Sequence, residues 1–187
     1  VELCDEFGYT HVRTVEHYFE SYGGYSPNPI IFLTACAARS QNARLITGAV
    51  LPAFNHPLKV AGEVGMLDAI SKGRVEVGFA RAFLPHEFHR FNVKLDDSVA
   101  RFDEGVAQIT RLIDEENVAM DGEFHSFNEL TSLPRPTQKQ VPYWTAAIAT
   151  PASFEKAGRA GHSVMAIPLG GGAMVELLGI YRDAWRS

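Results

Sequence analysis

Three places in the chain combine side chains that can do chemistry. Glu16-His17 sets a carboxylate beside an imidazole, the group whose proton affinity lies nearest neutrality, so the pair can move a proton or orient the group that moves it. A carboxylate next to a histidine more often orients it, and a role for Glu16 as the base itself stays open. Arg81 follows Val75-Glu76-Val77-Gly78-Phe79-Ala80; a guanidinium there suits a carboxylate or a phosphate, or it closes a structural ion pair. Thr150-Pro151-Ala152-Ser153 brings two hydroxyls to the expected first turn of a helix, which makes either an anion site or an ordinary cap.

Other groupings are weaker. His86-Glu87-Phe88-His89 lacks the HExxH spacing of a zinc site and reads as a solvated loop. His56, between Asn55 and Pro57, reads as structural, with a place in a pocket wall as the alternative. Gly170-Gly171-Gly172 has no Lys-Ser/Thr tail and reads as a flexible loop.

The elements that must position these groups alternate. Val75, Val77 and Phe79 interleave with Glu76, Gly78 and Ala80, the period of two expected of a strand, and Gly78 and Ala80 leave room beside the backbone. Residues 9–17, 44–51, 143–148 and 162–167 are further strands. Helices are expected over 29–40, 57–70, 151–160 and 173–185, with an amphipathic one starting near Ser98. Asn28 can cap the first of these and Pro29 can open it. Residues 115–140 interrupt the repeat, with a hairpin turn at Asp121-Gly122-Glu123. Strands separated by helices pair in parallel, in an open doubly wound sheet or a closed eight-stranded barrel. Polar groups at the ends of several strands favour the barrel, whose active site is assembled from those ends, over the open sheet with its single switch point.

Composition fits one soluble domain spanning 1–187. The chain has 187 residues, 46% hydrophobic and 21% charged, enough to bury a core. A net charge of -5 without a Lys/Arg run argues against a nucleic-acid partner. No apolar run approaches the ~20 residues of a membrane span, and the N-terminus has no secretory pattern. Two isolated thiols, Cys4 and Cys36, suit the cytoplasm better than a disulfide framework. The helix over 29–40 is apolar on nearly every side and is expected to be buried all round, in part by a partner subunit.

Val15-Glu16-His17-Tyr18-Phe19, Gly23 to Pro29, Val50-Leu51-Pro52 with His56-Pro57-Leu58, Met66-Leu67-Asp68 with Ser71-Lys72-Gly73-Arg74, Arg81, Arg101-Phe102, Asp121-Gly122-Glu123-Phe124, Leu133-Pro134-Arg135-Pro136 and Thr150-Pro151-Ala152-Ser153-Phe154 occur in one order along the chain. In that order they resemble the luciferase-like flavin monooxygenases. The resemblance implies a TIM (β/α)8 barrel, here incomplete: the first strand and the last two strands are expected to be missing. It implies reduced FMN (FMNH2), supplied by a separate flavin reductase, which activates O2 as a C4a-(hydro)peroxide to oxygenate a small organic substrate. By the same resemblance His17 stabilises or protonates the flavin-oxygen adduct, with Glu16 beside it and Tyr18 where the family has a second histidine. Arg81, flanked by Ala80, meets the FMN phosphate together with Thr150 and Ser153. Gly48 and Ala49 lie beneath the flavin, where the family commonly has a non-prolyl cis peptide; a simple bulge is the alternative. A homodimer is implied through the helix over 29–40 and the next helix, whose Ala61, Gly62 and Gly65 suit close packing. Two other readings share the fold: an oxidoreductase transferring hydride with F420, and a non-catalytic flavin-binding protein.

Overall fold

The computed structural model describes residues 1–22, 25–167, 170 and 172–186. Gly23, Gly24 and Gly171 of the two glycine-rich loops lie outside the described residues. In chain order the elements are α1 (Glu2–Glu6), β1 (His11–Thr14), α2 (Pro29–Arg39), β2 (Arg44–Thr47), α3 (Pro57–Ser71), β3 (Val75–Phe79), α4 (Pro85–Arg90), α5 (Ser98–Asp114), β4 (Val118–Asp121), β5 (Ser126–Leu130), β6 (Tyr143–Ala147), α6 (Pro151–Arg159), β7 (Ser163–Ala166) and α7 (Gly172–Arg186). Five strands form one sheet in the order β1-β2-β3-β6-β7, every neighbouring pair parallel, while β4 and β5 form a separate antiparallel pair. This is an α/β fold with a half-barrel of parallel strands, consistent with an incomplete TIM barrel.

β3 is the centre of that sheet and is buried at all five residues. Val75, Val77 and Phe79 join Leu45 of β2, Val60, Val64 and Leu67 of α3, and Ile109 and Leu112 of α5 in the main core. Each such side chain stabilises the fold by about 1.5–3 kcal/mol relative to exposure. The room left by Gly78 is not empty: a Cβ there would run into the Thr47 carbonyl and the Met165 side chain.

The excursion between α5 and β6 is held by buried polar groups. Asp68 of α3, with no exposure, accepts from the Thr137 and Gln138 N–H groups, the Thr137 hydroxyl at 2.7 Å and the Gln138 amide at 2.7 Å. Arg135 donates to the Leu112 and Ile113 carbonyls at the end of α5. The Glu104 carboxylate accepts from the N–H groups of Glu123, Phe124 and His125, which holds the β4–β5 turn against α5.

One packing expectation, for α3, is corrected, and the chain alone covers only one face of α2. α2 is buried on one side only: Ile31 is 69% and Phe32 47% exposed, because the chain's own core covers just the Ile30, Leu33, Cys36 and Ala37 face. On α3, Gly65 is filled from within the chain, since a Cβ there would strike the Pro134 carbonyl, and Ala61 belongs to the main core. Gly62 and Gly65 face the Leu133-Pro134 segment.

Candidate functional site

Parallel strands of one sheet end along one edge, so the segments after β1, β2, β3 and β6 converge there whatever their separation in sequence. β1 stops at Thr14, earlier than expected, and Glu16-His17 lies in the loop beyond it. That loop is clamped by Ser26: its hydroxyl donates to the Val15 carbonyl at 2.7 Å and its own carbonyl accepts the His17 N–H at 3.0 Å.

Arg81, Thr150 and Ser153 line one cavity of about 540 Å³ between α5 and α6. Its apolar wall includes Phe102, Val106 and Ala157, and Thr145 and His162 lie deeper, joined by a 2.9 Å hydrogen bond. Burial lowers the His162 pKa and favours its neutral form. Lys156 of α6 pairs with Asp103 of α5 at 2.5 Å, whereas Arg81 is exposed and has no ion-pair partner among the described residues. The helix-cap alternative for Thr150 is not what is seen. Its side chain makes no capping bond; the Ser153 N–H goes instead to the Thr150 carbonyl at 2.9 Å.

Glu16 and His17 occupy a second cluster at the same edge. Glu16 is 3% exposed; one carboxylate oxygen accepts from the Tyr18 hydroxyl at 2.5 Å and the Asn55 amide at 2.7 Å, the other from the Leu51 N–H at 3.2 Å. Burial pushes its pKa up to about 7, with the Glu87 charge adding to the rise and those hydrogen bonds opposing it. None of these bonds reaches His17, so Glu16 does not orient it.

The carboxylate that does is Glu87, whose Oε1 lies 3.1 Å from His17 Nδ1 and accepts the Tyr18 N–H at 2.8 Å. The expected solvated loop at His86–His89 is therefore a helix. Phe88 packs beneath it in a cluster with Leu51, Ala53 and Ala82, and this burial draws Glu87 fully inside. Pro85 as the first helical residue with Glu87 in the same turn was the available signal for that helix. His17 also meets Tyr22 and Phe83 edge-on, with ring centroids 5.0 and 6.3 Å away. His56 is structural: it caps α3, its Nδ1 accepting the Leu58 N–H.

After β2 the Gly48–Ala49 peptide is cis, and pairing with β3 resumes at Val50. A Cβ at Gly48 would meet the Arg13 side chain, which would have to shift. Ala49 is buried, and Ala80 donates its N–H to the Val50 carbonyl at 3.0 Å.

The family model for luciferase-like monooxygenases matches residues 1–187. The chain belongs to that family. It is 34% identical to the oxygenase component of flavin-dependent trigonelline monooxygenase from Acinetobacter baylyi, covering 98% of this chain and 52% of that protein. It spans about half the length of the curated relatives it matches. Among solved structures, monooxygenase RslO1 from Streptomyces bottropensis superposes with a TM-score of 0.92 at 54% identity, over 97% of this chain and 56% of that one. The oxygenating constituent of 3,6-diketocamphane monooxygenase from Pseudomonas putida, in complex with FMN, shares the fold at 18% identity, with a TM-score of 0.88 over 98% of this chain and 54% of that one. An F420-dependent secondary alcohol dehydrogenase shares it at 16% identity, with a TM-score of 0.83 over 98% and 57%.

Proposed function

We propose that this chain binds reduced FMN, delivered by a separate reductase in the cytoplasm, and uses it with O2 to oxygenate a small organic substrate. The observation that carries the reading is the meeting of Arg81, Thr150 and Ser153 in one cavity, on a family of monooxygenases. The donor set fits the cofactor's phosphate: a guanidinium without an ion-pair partner among the described residues, and two hydroxyls at the start of α6. When bound, reduced FMN supplies the electrons for oxygen activation.

The protein's own part is to bind, orient and move a proton. Arg81, Thr150 and Ser153 hold the phosphate end. Gly48, Ala49 and Ala80 form the floor of the site, and His17 accepts or gives a proton at Nε2, the ring nitrogen that Glu87 does not engage. Glu16 holds Tyr18 and the Leu51–Asn55 turn. Ile31 and Phe32 of α2, with Met66 and Ile70 of α3, remain exposed and form the proposed homodimer face. A second reading, hydride transfer with F420, is kept by the shared fold of the F420-dependent dehydrogenase.

The test compares ligands. Arg81→Ala should weaken FMN about tenfold to a hundredfold while leaving riboflavin, which lacks the phosphate, nearly unchanged; a charge-assisted phosphate contact contributes about 1.5–3 kcal/mol. Equal losses for both ligands would place Arg81 away from the phosphate. Tighter binding of F420 than of FMN by the unaltered protein would favour the second reading.

A further inference from the structure

We propose that Glu87 is the positioning residue of this site: it locks His17 as the Nδ1–H tautomer and so reserves Nε2 for the proton that the reaction moves. The inference rests on the reading of His17 as the acting group and adds the residue that controls it.

The geometry around Glu87 Oε1 carries the proposal. The Glu87 side chain has no exposure and that of His17 is 14% exposed. Glu87 Oε1 receives the Tyr18 N–H at 2.8 Å, which requires an acceptor at that atom. A carboxylate oxygen only accepts, so with Glu87 acting as a carboxylate the His17 Nδ1 at 3.1 Å from the same oxygen carries the hydrogen. Nε2 is then a base in the neutral ring and an acid in the imidazolium. Glu87 Oε2 is buried with no hydrogen-bond partner among the described residues, so the carboxylate is not consumed by a structural network of its own. A proton taken up by His17 places positive charge directly against this buried negative one, where the interaction is least screened. Rings hold the imidazole on its other sides: Tyr22 and Phe83 pack edge-on against it. Glu16, the other buried carboxylate of the cluster, bonds to Tyr18, Asn55 and Leu51 and offers His17 no competing acceptor.

The Tyr18 N–H also tells how substitutions will behave. In Glu87→Gln the amide oxygen must take the Oε1 position, so the tautomer is kept while the charge is lost. In Glu87→Met both acceptor and charge are lost. The experiment is NMR of the chain labelled with 15N-histidine, without cofactor, reading which ring nitrogen of neutral His17 is protonated. The unaltered protein and Glu87→Gln should show Nδ1–H, and Glu87→Met should show Nε2–H. Coupled turnover should fall by about tenfold to a hundredfold in Glu87→Met and less in Glu87→Gln. An Nε2–H signature in the unaltered protein would overturn the proposal, as would the same signature in all three proteins. The unaltered protein decides even if a variant fails to fold. Because the readout needs no flavin, its failure would leave the cofactor reading to the Arg81→Ala comparison, and the reverse.

Discussion

Glu16→Gln should remove a pH dependence of stability that the unaltered chain carries. Burial raises the Glu16 pKa from 4.5 to about 7 in the folded protein. A carboxyl whose folded pKa lies above its unfolded one keeps a proton that the unfolded chain releases, so folding takes up a proton between those two values. Its contribution is complete below pH 4.5 and disappears as pH rises to about 7. Across that interval of about 2.5 pH units, at about 1.36 kcal/mol per unit, the loss is about 3 kcal/mol. His125 and His162 work the other way, because burial lowers their pKa values and the unfolded chain then binds more protons than the folded one. Their effect cancels when the two proteins are compared at each pH. Urea unfolding followed by circular dichroism from pH 4.5 to 7.5 measures the comparison. The stability of the unaltered chain relative to Glu16→Gln should fall by about 3 kcal/mol as pH rises. Parallel curves, or a relative stability that rises with pH, would show that Glu16 is ionised throughout and that its three hydrogen bonds outweigh its burial.

Two further outcomes test the proposed function. His17→Ala should retain FMN binding within several-fold but form less product per reduced flavin consumed, with hydrogen peroxide making up the difference, because a group that acts on the transition state lowers turnover more than ground-state affinity; unchanged coupling would remove His17 from the chemistry. Sedimentation should show a dimer at micromolar concentration that Phe32→Glu converts to monomer, and a monomeric unaltered protein with ordered α2 and α3 would remove the interface.

What the sequence makes legible follows from the range of the forces involved. The period-two run of Val75, Val77 and Phe79 and the helical spacing of Val60, Val64 and Leu67 are local patterns, and the corresponding elements form within a residue or two of their expected ends. Arg81, Thr150 and Ser153 could be singled out because each sits at the boundary of such an element. Glu87 could not. Its partner lies 70 residues away, and its burial depends on Phe88 finding Leu51, Ala53 and Ala82, so metal-ligand spacing was the wrong test for the segment. Ile31 and Phe32 lie on the side of α2 that the chain's own core does not cover, the part of an all-round apolar helix expected to meet a partner subunit. The role of Gly65 was hidden because its contact, the Pro134 carbonyl, belongs to a segment outside the strand-helix repeat.

The long-range contacts that escaped local reading also tie the site into one unit. The segment after β3 carries Arg81 in its loop and Glu87 six residues on in α4, so the cavity wall and the carboxylate that holds His17 belong to one short stretch of chain. The loop after β1 meets that segment through His17 and Tyr18, and it meets the turn after β2 through Glu16, which accepts from Leu51 and Asn55. Three successive strand ends are therefore joined by two buried carboxylates, three of whose four oxygens are engaged. A displacement of the Arg81 segment must be transmitted to the imidazole through Glu87 or else leave a buried charge without its partner, which costs more than the movement itself. This gives the proposed phosphate end of the site a mechanical route to the proposed proton-moving end. Occupation of the cavity beside Arg81 and the orientation of His17 are thus expected to be read together, in the same histidine NMR signal, when FMN is titrated into the protein.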